Sequence, residues 1–334
     1  MMRAVVTGSS GFVGSHLAWA LAERGHEVVA FDLRDYAREH PRIESLVADL
    51  RDAAAVNQAV ADANVVFHVA SLVQTRRPGA DEVFAVNVGG TRNLLRACRA
   101  GAPDRFVYVS SASVVYDGHD IEHGDESLPY PASFHAPYAE TKARAEREVL
   151  EATDDALATC AIRPHIVFGP GDMRFFPAVL GRARSGRLKA YVGDAETLSD
   201  FTYIDNLIDG LLLAADKLTP ESRLAGQAYF VTNGEPTPFW EFVGRLLDGL
   251  GLARPKYQVP FPIAYGAAAI REVLDALRGV PTSEESLTRF AIRYLTTHHY
   301  FSHAKATRDF GYRPRVSISE GIQCTVRDLG ARAP

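Results

Sequence analysis

Apolar positions in the first half of the chain follow two alternating rhythms. Short runs rich in Val, Ala and Phe, at residues 4–7, 27–31, 45–48, 65–68, 106–110 and 159–163, show little polar alternation and read as strands buried on both faces. Between them, residues 14–24, 53–61, 82–100 and 138–151 repeat their apolar positions every three or four residues, the period of a helix buried along one stripe. Buried strands alternating with helices predict an α/β fold with a Rossmann-type doubly wound parallel sheet, which takes ligands at the carboxyl ends of its strands. After residue 163 the rhythm becomes irregular and richer in Pro and Gly, with helices expected at 175–185, 205–217, 238–250 and 317–329. The expected division is a dinucleotide-binding domain over 1–165 that carries the catalytic residues, and a smaller, mainly substrate-binding C-terminal lobe over 166–334 that returns some segments to the Rossmann core.

Composition narrows the class of partner. The 36 basic and 41 acidic residues nearly balance without long blocks of either sign, so there is no footprint for nucleic acid and a small molecule is expected. Three cysteines far apart, Cys98, Cys160 and Cys324, suit buried small side chains better than a disulfide framework or a zinc site. The opening MMRAVVTG enters a strand pattern without the features of a signal peptide, so export is not expected. The most apolar late segment, 259–279, is interrupted by Arg271, Glu272 and Asp275 and reads as an amphipathic helix over 263–277 rather than a membrane span. Core packing is its ordinary role; a lip over an apolar pocket or contact with a membrane surface are the alternatives.

The first chemical signal is TGSSGFVG, residues 7–14, between a strand and a helix. Gly8 permits a tight turn, Gly11 lets the backbone approach a pyrophosphate, and Gly14 allows close helix–strand packing, while the helix N-terminus turns its amides toward phosphate. Asp32, ending the second strand, is placed to accept from the adenosine ribose hydroxyls and to repel a 2′-phosphate, which favours NAD over NADP. Arg34 and Arg38 nearby could instead stabilise that phosphate. Asp49 suits the adenine amino group or, equally, the N-cap of the helix beginning at Ala53.

The second signal is a triad. Ser110, Ser111 and Ser113 follow the fifth strand, and Ser111 is the chosen donor to a substrate oxygen. Tyr138 and Lys142 stand four apart on a helix; the lysine ammonium is the simplest means of lowering a tyrosine pKa near 10 so that it can act as a base. Arg144, Arg147 and Glu148 read as exposed residues of that helix. Arg76 and Arg77, beyond the fourth strand, are candidate partners for a substrate carboxylate, with Ser113 as a further substrate contact. Arg163 is expected to anchor the lobe and His165 to be a satisfied core histidine. The eleven histidines show no metal-ligand spacing, and no metal is expected.

TGSSGFVG, VNVGGTRNLL, SSASVVY, PYAETK, IRPHIVFGPGD and DFTYIDN together resemble an extended short-chain dehydrogenase/reductase across nearly the whole chain. VTNGEPTPFWEFV and THHYFSHAKATRDFGYRP are most similar to its 3β-hydroxysteroid dehydrogenase branch, in particular to the members that act in sterol C4 demethylation. The resemblance implies Tyr138 as base, Lys142 as its partner, Ser111 as hydroxyl donor and Asn87 as support for the site. Cofactor contacts are expected at Gly8, Ser10, Gly11, Phe12, Val13, Gly14, Asp32, Asp49, Leu50, Ala70, Asn87, Tyr138, Lys142 and Pro164. The reaction implied is NAD-dependent oxidation of the 3β-hydroxyl of a sterol or steroid, a 4α-carboxysterol losing carbon dioxide. The alternatives are a reductase of long-chain β-keto acids or 3-keto steroids, a sugar-nucleotide enzyme on the same scaffold, and a non-catalytic dinucleotide sensor. Eukaryotic members continue beyond PKYQVPFP into a longer hydrophobic anchor, whereas charged residues follow here, so a cytoplasmic enzyme with at most peripheral membrane contact is expected. The resemblance also implies a homodimer, pairing through helices 82–100 and 138–151.

Overall fold

Five strands of the first half line up as β1 (Arg3–Thr7), β2 (Glu27–Asp32), β3 (Ile43–Val47), β4 (Val65–His68) and β5 (Arg105–Val109) in a computed structural model that describes residues 1–73, 80–172, 175–278 and 288–331. Strands Ala158–Arg163 and Gln227–Phe230 extend the sheet beyond β5. All seven are parallel, in the order Gln227–Phe230, Ala158–Arg163, β5, β4, β1, β2, β3. Consecutive strands run outward in opposite directions from β1 and β4, so their following loops part and leave a crevice at the carboxyl edge.

Helices cover both faces. On one, Val56 and Val60 of α2 (Ala53–Val60), Leu94 and Leu95 of α4 (Gly90–Ala100) and Val149 of α5 (Pro137–Glu151) pack on Val5, Val66 and Phe106. On the other, Leu17 and Leu21 of α1 (Phe12–Glu23) and Leu207 and Leu211 of helix Ile204–Lys217 pack on Val6, Val107 and Ile162. Both faces of these strands are therefore removed from water, which is why their sequences lack alternation. The helix Ile204–Lys217 and the strand Gln227–Phe230 come from beyond residue 166, so the later half supplies part of the Rossmann layers. A four-stranded sheet of Thr237–Pro238, Leu198–Ser199, His299–Phe301 and Ile121–Gly124 joins the two halves of the chain.

Three expectations need correction. The helix expected over 82–100 is α3 (Ala80–Phe84), a π-helical turn at Ala85–Gly89, and then α4. The cap of α2 is Asp52, which accepts from Ala54 N at 2.9 Å and Ala55 N at 3.2 Å; Asp49 is instead paired with Arg51. The late amphipathic helix forms as Phe261–Leu277, but it packs through Ala264 and Ala268, and Ile263, Ile270, Val273, Leu274 and Leu277 stand exposed. Its small residues pack inward because they allow close approach, and its large aliphatic ones face out.

Candidate active site

The glycine loop is shaped by contacts that no side chain would tolerate. Gly8 has φ of +71°, and a Cβ there would lie 2.7 Å from Ala70 Cα; a Cβ on Gly14 would lie 2.1 Å from the Gly8 carbonyl oxygen. Gly11 is the N-cap of α1 and no side chain caps that end, so the first-turn amides, including those of Phe12 and Val13, are presented to the crevice. This cradle fits a pyrophosphate. Asp32 closes it from β2, accepting from Ser10 N at 3.0 Å and Arg34 N at 3.2 Å. Arg34 reaches back to the Ser10 carbonyl at 3.4 Å, and the Arg38 guanidinium lies 3.6 Å over the ring of Trp19. Asp49 forms a fork with Arg51, at 3.0 and 2.6 Å, which holds its carboxyl below the usual range. Leu50 is buried under Gly90.

The second cluster is built by α5. Pro137 occupies its first turn, where a missing N–H costs nothing, and starts the helix at the residue before Tyr138. Lys142, one turn on, is buried and donates to the Val109 carbonyl at the end of β5 at 2.6 Å, with Nζ 4.5 Å from the Tyr108 ring centre. Enclosure lowers its pKa to about 7, partly opposed by the negative charge of Glu146. Ser111, two residues past Val109, caps the short 3₁₀ turn Ala112–Val115; its Oγ accepts from Ser113 N at 3.2 Å and lies 2.9 Å from Ser113 Oγ. Pro164 holds the same turn, its carbonyl accepting from Ala112 N at 3.0 Å.

Residues around the triad fix this arrangement. Asn87, in the π-helical turn, accepts from Leu72 N at 2.7 Å and donates to Leu72 O and Thr141 Oγ1, both at 3.0 Å. Thr141 in turn donates to the Tyr138 carbonyl at 3.0 Å, so Asn87 ties the loop after β4 to the turn that bears Tyr138. Such a π turn places one residue where a regular helix would not. Glu146, on the inward face one turn beyond Lys142, is buried in a fork with Arg163 at 3.0 and 2.6 Å and accepts from Tyr130 OH at 2.6 Å. Arg163 thus pins α5 to the sheet. The inward spacing of Glu146 from Tyr138 and Lys142 is the available signal; Thr141 lies within PYAETK but no pattern there gives it a role, and nothing marks Tyr130. Arg144 and Arg147 are exposed, and Glu148 pairs with Arg92 at 2.6 Å. Arg76 and Arg77 lie outside the described residues. Among the described residues no three His, Cys, Asp or Glu side chains gather as a metal ion would require.

A parallel sheet with a phosphate cradle at one strand end and a Ser, Tyr and Lys group at another defines an oxidoreductase of the Rossmann type. Among solved structures, the UDP-glucuronic acid 4-epimerase of Bacillus cereus shares this fold, with a TM-score of 0.75 at 22% identity over 98% of this chain and 100% of the other. The chain belongs to the 3-beta hydroxysteroid dehydrogenase/isomerase family, whose family model matches residues 5–263. It is 37% identical to the mouse (Mus musculus) sterol-4-alpha-carboxylate 3-dehydrogenase, decarboxylating, over 98% of this chain and 91% of the relative. It is 43% identical to a 2-alkyl-3-oxoalkanoate reductase of Stenotrophomonas maltophilia over 96% of this chain and 98% of that one.

Proposed function

We propose that the chain is an NAD-dependent dehydrogenase that oxidises the 3β-hydroxyl of a sterol or steroid, with a 4α-carboxysterol that loses carbon dioxide as its preferred substrate. The observation that carries the reading is the buried Lys142, one helical turn from Tyr138, whose ammonium is joined to the carbonyl of Val109 at the end of β5, two residues before Ser111. The phenol oxygen of Tyr138 takes the substrate hydroxyl proton, and the Lys142 ammonium favours the phenolate that can do so. Ser111 donates to the same substrate oxygen as it becomes a ketone. A nicotinamide, when bound, would supply the hydride acceptor. With a carboxylate on the adjacent carbon, the ketone acts as an electron sink: the carbon–carboxylate bond breaks, its electron pair forms the enolate, and Ser111 and Tyr138 hold that oxygen.

NAD is favoured over NADP by Asp32 at the end of β2 and by the placement of Arg38 on Trp19, which leaves a carboxylate to meet the ribose. The exposed aliphatic stripe of helix Phe261–Leu277 supports work at a lipid surface, because Glu272 is paired with Arg289 and Asp275 with Arg271, so little bare negative charge flanks it. Among the described residues, no helix is long and apolar enough to cross a membrane.

A second reading, reduction of a 2-alkyl-3-oxoalkanoate by the same triad, is supported by the 43% identical relative. Incubating the protein with NAD and a 4α-carboxysterol, and separately with NADH and a 2-alkyl-3-oxoalkanoate, decides between them. NADH and carbon dioxide released together in the first mixture support the sterol reaction; turnover in the second alone replaces it with the reductase. Tyr138→Phe is expected to lower kcat by at least about 100-fold in whichever reaction is real.

A further inference from the structure

Buried polar groups connect the end of strand Ala158–Arg163 to helix Arg289–Leu295, and the chemistry above makes no use of them. His165 is 2% exposed. Its backbone is held by Thr202, whose Oγ1 accepts from His165 N at 3.2 Å and donates to His165 O at 2.7 Å. The next residue, Ile166, holds φ at +30°, a conformation that a β-branched side chain resists and that surrounding structure must enforce. Each ring nitrogen of His165 has one partner. Nδ1 lies 2.7 Å from the Asp200 carbonyl oxygen, which can only accept, so Nδ1 carries a proton. Burial keeps the imidazole neutral. Nε2 therefore bears a lone pair, and the Tyr294 hydroxyl, 2.8 Å away, donates to it.

Tyr294 packs against the apolar cluster that supports the turn after Ser111 and the inward side of α5. Its ring stacks on His299 at 4.1 Å and meets the edge of Tyr116 at 5.0 Å. It packs in one cluster with Ala112, Phe134 and Ala143, the neighbours of Ser111 and of the Tyr138–Lys142 turn. Burial raises its own pKa first, and Tyr116 and Tyr138 add to the effect. A free phenol proton here would be a third donor to a substrate oxygen that needs two, and an oxygen bound to it would lie out of register for reaction.

We propose that Tyr294 is a positioning residue whose proton is sequestered by His165, so that a substrate oxygen meets only Ser111 and Tyr138 as donors. The role rests on the reaction proposed above, in which a hydroxyl and a ketone interconvert at that oxygen. His165→Leu removes the acceptor and frees the Tyr294 proton. Unproductive binding then lowers kcat and KM together, each by about 5-fold, and leaves kcat/KM within about 2-fold of the parent enzyme. Adding Tyr294→Phe to His165→Leu removes the stray donor and restores kcat to within about 2-fold. A double variant as slow as the single one, or a single variant whose kcat/KM collapses, overturns the proposal. Nitrogen-15 NMR of the imidazoles in the unaltered protein decides the matter even where His165→Leu does not fold. A neutral ring protonated at Nδ1 is expected at neutral pH, and protonation at Nε2 or at both nitrogens overturns the proposal. A wild-type chain that turns over no 3-hydroxy or 3-keto lipid refutes the proposed reaction, whereas the wrong tautomer in an active enzyme refutes only the positioning role.

Discussion

An ammonium group enclosed as Lys142 is costs the folded state free energy, because burial disfavours its charge more than Glu146 restores it. With its pKa lowered to about 7 from the usual 10.5, the folded chain has released this proton at pH values where the unfolded chain still holds it. The unfolded state then binds more protons, so this group's contribution to stability rises with pH from about 7 to about 10.5 and is least favourable below that window. Lys142→Met is expected to raise the Tm of the cofactor-free protein by roughly 3–5 °C at pH values below the window and to flatten the rise within it. Thermal melts across that range check both, and a variant that melts lower than its parent at acidic and neutral pH contradicts the reading. The Tyr138 and Lys142 pair is legible in the sequence because context supplies what spacing lacks: a glycine loop and a serine-bearing strand end. The ionic partner of Asp49 is not, since Asp49 and Asp52 both offer a carboxylate just before α2 and only the backbone decides which one caps it.

At the scale of elements, α5 is held at its first turn by Asn87 through Thr141 and at its middle by Arg163 through Glu146. The first tie involves a neutral hydroxyl, and the second is a buried ion pair whose single-sided removal costs about 3–5 kcal/mol. Thr141→Val keeps the volume and removes the hydroxyl. We expect a stability loss of about 1 kcal/mol but a fall in kcat of roughly 10-fold, since a small misplacement of Tyr138 is felt strongly in the reaction. Denaturant melts beside steady-state kinetics make the comparison; kcat unchanged within error would show that the tie does not position Tyr138. The main-sheet strands of the first half and the helices between them follow from apolar period, whereas the strand Ile121–Gly124, with its two central residues exposed, escapes it. The π-helical turn at Ala85–Gly89 escapes it too, because one extra residue in a helix leaves the surrounding pattern almost intact. The strand Gln227–Phe230 was hidden for a different reason: four residues amid turns carry too little pattern to announce a place in the main sheet.

For the whole molecule, the proposed contact with a lipid surface rests on one outer helix. Helix Phe261–Leu277 turns Ile263, Ile270, Val273, Leu274 and Leu277 to solvent, a contiguous aliphatic stripe of the kind that marks contact with a partner or a lipid surface. Replacing Ile270 and Leu274 with Glu is expected to reduce cosedimentation with phosphatidylcholine vesicles by at least about 5-fold, since each buried aliphatic side chain contributes a kcal/mol or more to such binding. Equal sedimentation of the parent and variant chains rules out this stripe as the contact.

The place of Gln227–Phe230 beside Ala158–Arg163 also bears on how the chain is made. During synthesis the glycine loop and Ser111, Tyr138 and Lys142 leave the ribosome long before this last strand does. Until then Ala158–Arg163 is a bare sheet edge, every residue of which is buried in the finished protein, and it is open to pairing with another nascent chain. A fragment ended at residue 165 keeps that edge permanently, so it is expected to aggregate even though it carries Ser111, Tyr138 and Lys142.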